Sequence, residues 1–341
     1  MNEAQHPLVS IGVPVFNGEK GLAKALDSLL EQDYDKLEII ISDNASTDAT
    51  PDICADYVRK DSRIKYFRSL ENVGGANNFN RVFELSIGQF FMWAAHDDQR
   101  QSSFVRECVE KFERSPGAVL CAAHTHSFIQ GESELLYTAD LDSFEGVSGL
   151  VRRYRETLKH FPATAIYGVF RSSALRKTRL FARFLGADLA MIQELSIHGD
   201  FVQVKKALFT YYGRETWNSV HDDHRMVFGD ARKPWWHLPF LVLFLNNCKR
   251  VADASLPVST KCGLWAVLVA HEAGQIALKM LIKSAGRICP ARYESKLARQ
   301  IYWRWMHSPN VKVGSDSLFY RRVILPRLGW AWRASPVAHE T

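Results

Sequence analysis

Two adjacent carboxylates, Asp97 and Asp98, follow closely on an apolar run, Phe90-Phe91-Met92-Trp93-Ala94. A run this short after Gly88 predicts a buried strand. In open α/β sheets ligands bind at the carboxyl ends of the strands. Carboxylates there are hard oxygen ligands, suited to Mg²⁺ or Mn²⁺ carrying a phosphorylated ligand. A second reading is that the pair caps the helix that follows. Other polar clusters stand behind apolar runs in the same way: Phe16-Asn17-Gly18-Glu19, Asp43 to Asp48, and the glycine-rich Asn72-Val73-Gly74-Gly75-Ala76-Asn77. His124 and His126 sit on alternate positions of one strand-like run and make an incomplete zinc site, read as pocket wall or plain structure. His221-Asp222-Asp223-His224 reads as a solvated polar loop.

The elements that position these residues alternate. Leu8 to Val15 predicts a first strand, which Pro14 should end or place at an edge because it cannot donate to a ladder. Glu19 to Glu31 carries Leu22, Ala25, Leu26, Leu29 and Leu30 at helical spacing. Leu37 to Ile41 is a second strand, and Thr50-Pro51 opens a helix with Thr50 as N-cap. Ile64 to Phe67 is a third strand, and the next helix turns Phe79, Val82 and Phe83 to one face. Strand and helix in alternation predict a mostly parallel sheet covered by helices on both faces. The polar loops after the strands then gather on one edge, as a pocket of glycines, carboxylates and amides. No G-x-G-x-x-G follows the first strand, so a dinucleotide reading is weak, and no G-x-x-x-x-G-K-[ST] occurs, so a P-loop reading fails.

The chain has 341 residues, enough for a main domain with a sizeable extension, and its 47% hydrophobic and 23% charged content is that of a globular protein. Six scattered cysteines without metal-type spacing point to free thiols and a reducing compartment. The first residues show no basic and apolar leader pattern. The net charge of +6 is uneven: between Lys283 and Arg333 eleven basic residues face two acidic ones.

The quoted motifs carry a resemblance. Val9 to Asn17, Glu38 to Asp48, Asn72 to Gly75 and Asp97-Asp98 resemble, in order and distance, the family 2 glycosyltransferases of the GT-A fold. The match is close over about the first 130 residues and looser up to Ser219. It implies inverting sugar transfer from a UDP- or dTDP-sugar, with Mg²⁺ or Mn²⁺, to a glycan or lipid-linked acceptor hydroxyl. Pro14, Val15, Phe16 and Asn17, with Glu19, match the wall around the base. Asp43, beside Asn44, matches the aspartate that accepts the imide N–H of uracil or thymine. Asn72, Gly74, Gly75 and Asn77 match the ribose and diphosphate segment, where glycine lets backbone approach closely. Asp98 matches the metal ligand and Asp97 its neighbour; His96 stands where a first aspartate is common. Asp188, in Gly186-Ala187-Asp188, matches the general base, and Arg214 an arginine near the diphosphate.

Past Asp230 the resemblance stops. Trp235 to Leu245 is too short to span a bilayer, and Cys262 to Ile282 carries His271, Glu272, Gln275 and Lys279, which favours an amphipathic or core helix. With Trp303, Trp305, Trp330 and Trp332 the basic tail has the composition of an interfacial segment. The resulting expectation is a GT-A domain over 1–230, with a nucleotide-sugar-binding half over 1–130 and an acceptor half over 131–230, and a helical, basic extension over 231–341. It would work in the cytoplasm or at the inner face of the cell membrane, touching that surface through residues 235–333. The alternatives are a decayed nucleotide-sugar-binding protein and a sugar nucleotidyltransferase, which would want arginine and lysine in the first loop where only Lys20 stands. Nothing in the first 230 residues suggests nucleic acid.

Overall fold

A computed structural model describes residues 6–129, 135–160, 162–213, 239–288 and 311–312. Three apolar runs make the middle of a sheet: β1 (Val9–Val15), β2 (Leu37–Asp43) and β4 (Phe90–Trp93), each buried along its whole length. Strands covered on both faces carry continuous apolar runs rather than alternation. β3 (Ile64–Arg68) lies outside β2. The four are mutually parallel, with Val15 level with Asp43 and Gly12 level with Trp93. Pro14 stays inside β1, yet the β4 pairing stops at Gly12, so no β4 residue stands opposite its missing N–H.

Past β4 the sheet turns antiparallel. β8 (Val169–Arg171) pairs antiparallel with β4, and β6 (Ala118–Ile129) antiparallel with β8. β7 (Leu135–Ala139) returns antiparallel along β6, and the short β10 (Val311–Lys312) lies outside it. β9 (Asp200–Gly213) runs parallel to β6 and also holds β5 (Gln99–Arg100) on its other edge. The sheet is thus parallel over β1 to β4 and mixed beyond them.

Helices cover both faces. α1 (Leu22–Leu30), α2 (Thr50–Lys60) and α4 (Phe104–Glu113) close one core with Ile11, Ile39, Met92 and Cys121. α3 (Gly75–Glu84) and α7 (Ala187–Leu195) close the other, where Trp93 is fully buried among Phe91, Phe170 and Phe181. Its indole N–H donates to the Phe79 carbonyl at 2.9 Å, and burying so large a ring contributes about 3 kcal/mol. α2 starts one residue earlier than its Thr-Pro signal suggests. Thr50 lies inside the helix and its hydroxyl accepts the Gly18 N–H at 2.8 Å, so it fastens the first loop instead of capping.

α5 (Leu150–His160), the short α6 (Ser172–Leu175), α8 (Pro239–Asp253) and α9 (Val258–Ile288) complete the described helices. α8 and the first half of α9 pack on α5 and α7: Val251, Leu264 and Leu268 share a core with Tyr154 and Ile197. A buried ion pair, Arg250–Glu194, and an amide contact from Asn247 to Gln193 at 2.6 Å join α8 to α7. The expected domain division at 230/231 falls in residues outside those described. Among the described residues no helix is long and apolar enough to cross a membrane. Cys54, Cys108, Cys121, Cys248 and Cys262 are free thiols, the first three of them buried.

Candidate functional site

The loops behind β1 and β2 are tied to one another because their polar residues satisfy each other's backbone. Asn17, at φ 52°, donates its N–H to Ser46 Oγ, and its side-chain oxygen accepts the Thr47 N–H, both at 2.9 Å. The Glu19 N–H donates to Asp48, and the Glu19 carboxylate accepts the Ala49 N–H at 3.2 Å. Phe16 stands at the mouth, 44% exposed, while Pro14 and Val15 are buried beneath it. Asp43, expected to meet a base, is wholly buried. One of its oxygens accepts the Ser46 N–H at 2.8 Å; the other accepts the Tyr66 hydroxyl at 2.7 Å, with Arg68 3.5 Å away.

The third loop joins through amides. Asn44 donates to Asn72 Oδ1 at 2.7 Å and accepts the Val73 N–H at 2.9 Å. Gly74 precedes α3 and Gly75 opens it, with Asn77 exposed one turn in. Asn78, which sequence reasoning passed over, is buried and bonds both Ser42 and the Val15 carbonyl, stitching α3 to the ends of β1 and β2.

The turn His96-Asp97-Asp98 completes this edge. A side chain at Gly21 would meet Asp97 and the His96 carbonyl at 3.0 Å, so α1 reaches the turn only because that position has no Cβ. The two aspartates differ in exposure. Asp97 keeps contact with solvent; Asp98 is 1% exposed, its Oδ1 accepting the Tyr212 N–H from β9 at 2.9 Å and its Oδ2 buried with no partner. The metal role expected of Asp98 therefore meets a buried carboxylate, within the electrostatic reach of the buried Arg100, which donates to the Trp93 and Tyr167 carbonyls.

Burial, and then the neighbouring charge of Asp97, pushes the Asp98 carboxyl up to about 8. The folded chain then holds a proton that the unfolded chain releases near pH 4, so stability falls as pH rises through that window. Asp98→Asn keeps an acceptor for Tyr212 and carries no charge. In EDTA its melting temperature should gain on wild type by several degrees between pH 5.5 and pH 8; a gap that stays constant across those scans would contradict this placement.

Asp188 stands in the first turn of α7, behind Gly186 at φ 86°, a left-handed backbone that a side chain would strain. Leu243 of α8 packs over this glycine, with Phe184, Ala187 and Val242 beside it. Burial holds the Asp188 carboxyl above the usual carboxylate range. Tyr167 links the two halves. Its phenol is held well above its ordinary value, chiefly by burial and then by the negative charges of Asp98, Tyr211, Asp97 and Asp188. All four of these groups act electrostatically on the one buried phenol. Tyr167 ends the 3₁₀ turn Ala163–Tyr167 before β8. Arg214 and the His221–His224 loop lie outside the described residues.

Comparison with known proteins gives the chain's family and fold. The model of glycosyl transferase family 2 matches residues 10–183. Glycosyltransferase GlyA of Streptococcus pneumoniae is 26% identical over 216 residues, 60% of this chain and 30% of that protein. The GalNAc(5)-diNAcBac-PP-undecaprenol beta-1,3-glucosyltransferase of Campylobacter jejuni is 27% identical over 190 residues, 54% of this chain and 58% of its own length. The chain therefore spans well under two thirds of either relative. Among solved structures, S. aureus TarS 1-349 in complex with UDP superposes with a TM-score of 0.57 at 17% identity, covering 77% of this chain and 70% of that one, a likeness of fold. With half of its length matched and the GT-A sheet in place, the chain belongs to glycosyl transferase family 2.

Proposed function

We propose that the chain transfers a sugar from a UDP-sugar, or a dTDP-sugar, to an acceptor hydroxyl with inversion. The observation that carries this reading is the set of loops at the carboxyl ends of β1, β2 and β4, tied together through amides and glycines, with the solvent-accessible Asp97 among them and Asp188 opening α7. The uridine preference rests on the resemblance and on TarS, whose structures hold UDP and UDP-GlcNAc.

In this reading Phe16 stacks on the base and the Asn72–Gly75 backbone lies along the ribose and diphosphate, with His96 beside them. Asp43 acts from beneath, setting the loop; turned outward, it would accept the imide N–H. Asp97 replaces Asp98 as the metal ligand: its carboxylate is the accessible one, and hard oxygen donors suit Mg²⁺ or Mn²⁺. Bound there, the ion would neutralise the diphosphate and ease its departure. Asp98 braces the turn against β9. Asp188 takes the proton of the acceptor hydroxyl as that oxygen bonds to the anomeric carbon. The bond from that carbon to the phosphate oxygen breaks, and the nucleoside diphosphate leaves with the electron pair. Release of UDP from UDP-hexoses in Mn²⁺ tests this directly; a chain that turns over no nucleotide-sugar, with or without added polyprenyl-phosphosugars, would sink it.

The C-terminal helices carry a second clue. Leu241 and Leu245 of α8, and Val258, Trp265 and Val269 of α9, are exposed. The Campylobacter relative's name carries a lipid-linked acceptor, and residues 283–333 are basic. We propose polysaccharide or glycolipid assembly at a membrane surface. The chain should float with vesicles containing anionic lipid, and Leu241→Asp with Leu245→Asp should lower the bound fraction several-fold, since each apolar side chain contributes about 1.5–3 kcal/mol. Equal flotation of both proteins would argue against this face.

A further inference from the structure

The turn after β7 gathers a second set of metal-type ligands. One ring nitrogen of His124 and one carboxylate oxygen each of Asp140 and Asp142 lie within 4.8 Å of one another. The hairpin explains why. Thr125 of β6 pairs with Ala139 of β7, so continuing that register puts Asp140 opposite His124. Asp142 then opens the 3₁₀ turn Asp142–Phe144 and donates its N–H to Asp140 Oδ1 at 3.0 Å. Gln203 of β9 braces the turn: it accepts the Leu141 N–H at 2.7 Å and donates to Asp142 Oδ1 at 2.6 Å. The carboxylates are therefore held in place rather than swinging in solvent. His124 Nε2 is buried without a hydrogen-bond partner, which is costly for a ring nitrogen. An ion at about 2.0–2.2 Å from each ligand spans at most about 4.4 Å between any two of them, so a small closing movement of these side chains would seat it.

We infer that His124, Asp140 and Asp142 form a divalent-cation site of their own, for Zn²⁺ or Mn²⁺, that clamps the β6–β7 hairpin on the acceptor half. One nitrogen and two oxygen donors suit a borderline first-row ion, with water completing the shell. This is a different site from the donor-side aspartates. β9 lies between them, pairing Thr125 and His126 on one edge and Gln99 and Arg100 on the other. That separation is two inter-strand spacings, roughly 10 Å, too wide for one shared ion. Lys205 lies near the carboxylates, with its ammonium engaged by Glu145 at 2.7 Å.

Equilibrium dialysis of the whole chain against micromolar Zn²⁺ or Mn²⁺, with bound metal counted per chain, tests the assignment in an Asp97→Asn background that removes the donor-side ligand. One ion should remain bound. Adding His124→Gln or Asp142→Asn should weaken it by more than the roughly 10–100-fold lost with an outer-shell partner. Asp142→Asn keeps the oxygen that Gln203 uses, so its circular dichroism should match the parent and its result decides if His124→Gln does not fold. No bound ion in the Asp97→Asn chain, or one that both further substitutions leave unchanged, overturns the assignment.

Discussion

Asp188→Asn should lower turnover about 10³-fold while leaving nucleotide binding and the fold intact. The reasoning starts from position. Asp188 lies in the first turn of α7, where backbone N–H groups favour its charge, but burial outweighs them and raises its carboxyl. A desolvated carboxylate with a raised pKa is a better proton acceptor than one in water, and general-base catalysis contributes about 10²–10⁴-fold. Only the ionised form can act, so the rate should climb with pH along a limb displaced upward from the usual carboxylate range, and the variant should lose that limb. Asparagine is nearly isosteric and carries no charge to desolvate, so stability should hold or rise. Steady-state rates across pH, read beside calorimetric UDP binding, separate this from a structural lesion: loss of UDP binding together with turnover would mean that Asp188 supports the fold and not the proton transfer.

Asp97→Asn should remove about 10³-fold of kcat/KM, equivalent to roughly 4 kcal/mol of transition-state stabilisation. The charge that builds on the departing diphosphate is the largest to appear in the reaction, and Asp97 is the carboxylate of the pair with access to it. Asparagine would keep the turn beside Gly21 but hold a divalent ion poorly. Asp98→Asn should cost far less, because its burial and its bond to the Tyr212 N–H assign it to bracing. Rates for both variants at saturating and at limiting Mn²⁺ read the difference; a larger loss for Asp98→Asn would return the metal to that residue.

Much of the donor half was legible in the sequence. The runs Val9–Val15, Leu37–Asp43 and Phe90–Trp93 are apolar because parallel strands are buried on both faces, and each polar loop begins where its run ends. What spacing could not say is which way a side chain turns within a loop. Asp97 and Asp98 are neighbours in sequence and opposite in exposure, and the Tyr212 backbone, 114 residues away, decides it. Asp43 reads as a pocket carboxylate until Tyr66 and the Ser46 N–H are seen to occupy its oxygens. Asn78 and Tyr167 carry no local signal, since their roles arise only when α3 and the turn before β8 close on the sheet. The antiparallel β8 was hidden for a similar reason: it follows a 3₁₀ turn and spans only Val169–Arg171, too short for periodicity to show direction.

The most direct measurement is a calorimetric titration of UDP into the whole chain, with and without Mn²⁺, on wild type and Asp97→Asn. Binding that strengthens at least about tenfold with Mn²⁺ in wild type, a change of roughly 1.4 kcal/mol, and not in Asp97→Asn, is the predicted result. Nucleotide binding that is absent, or that ignores both the ion and the substitution, would contradict a donor pocket built at this edge of the sheet.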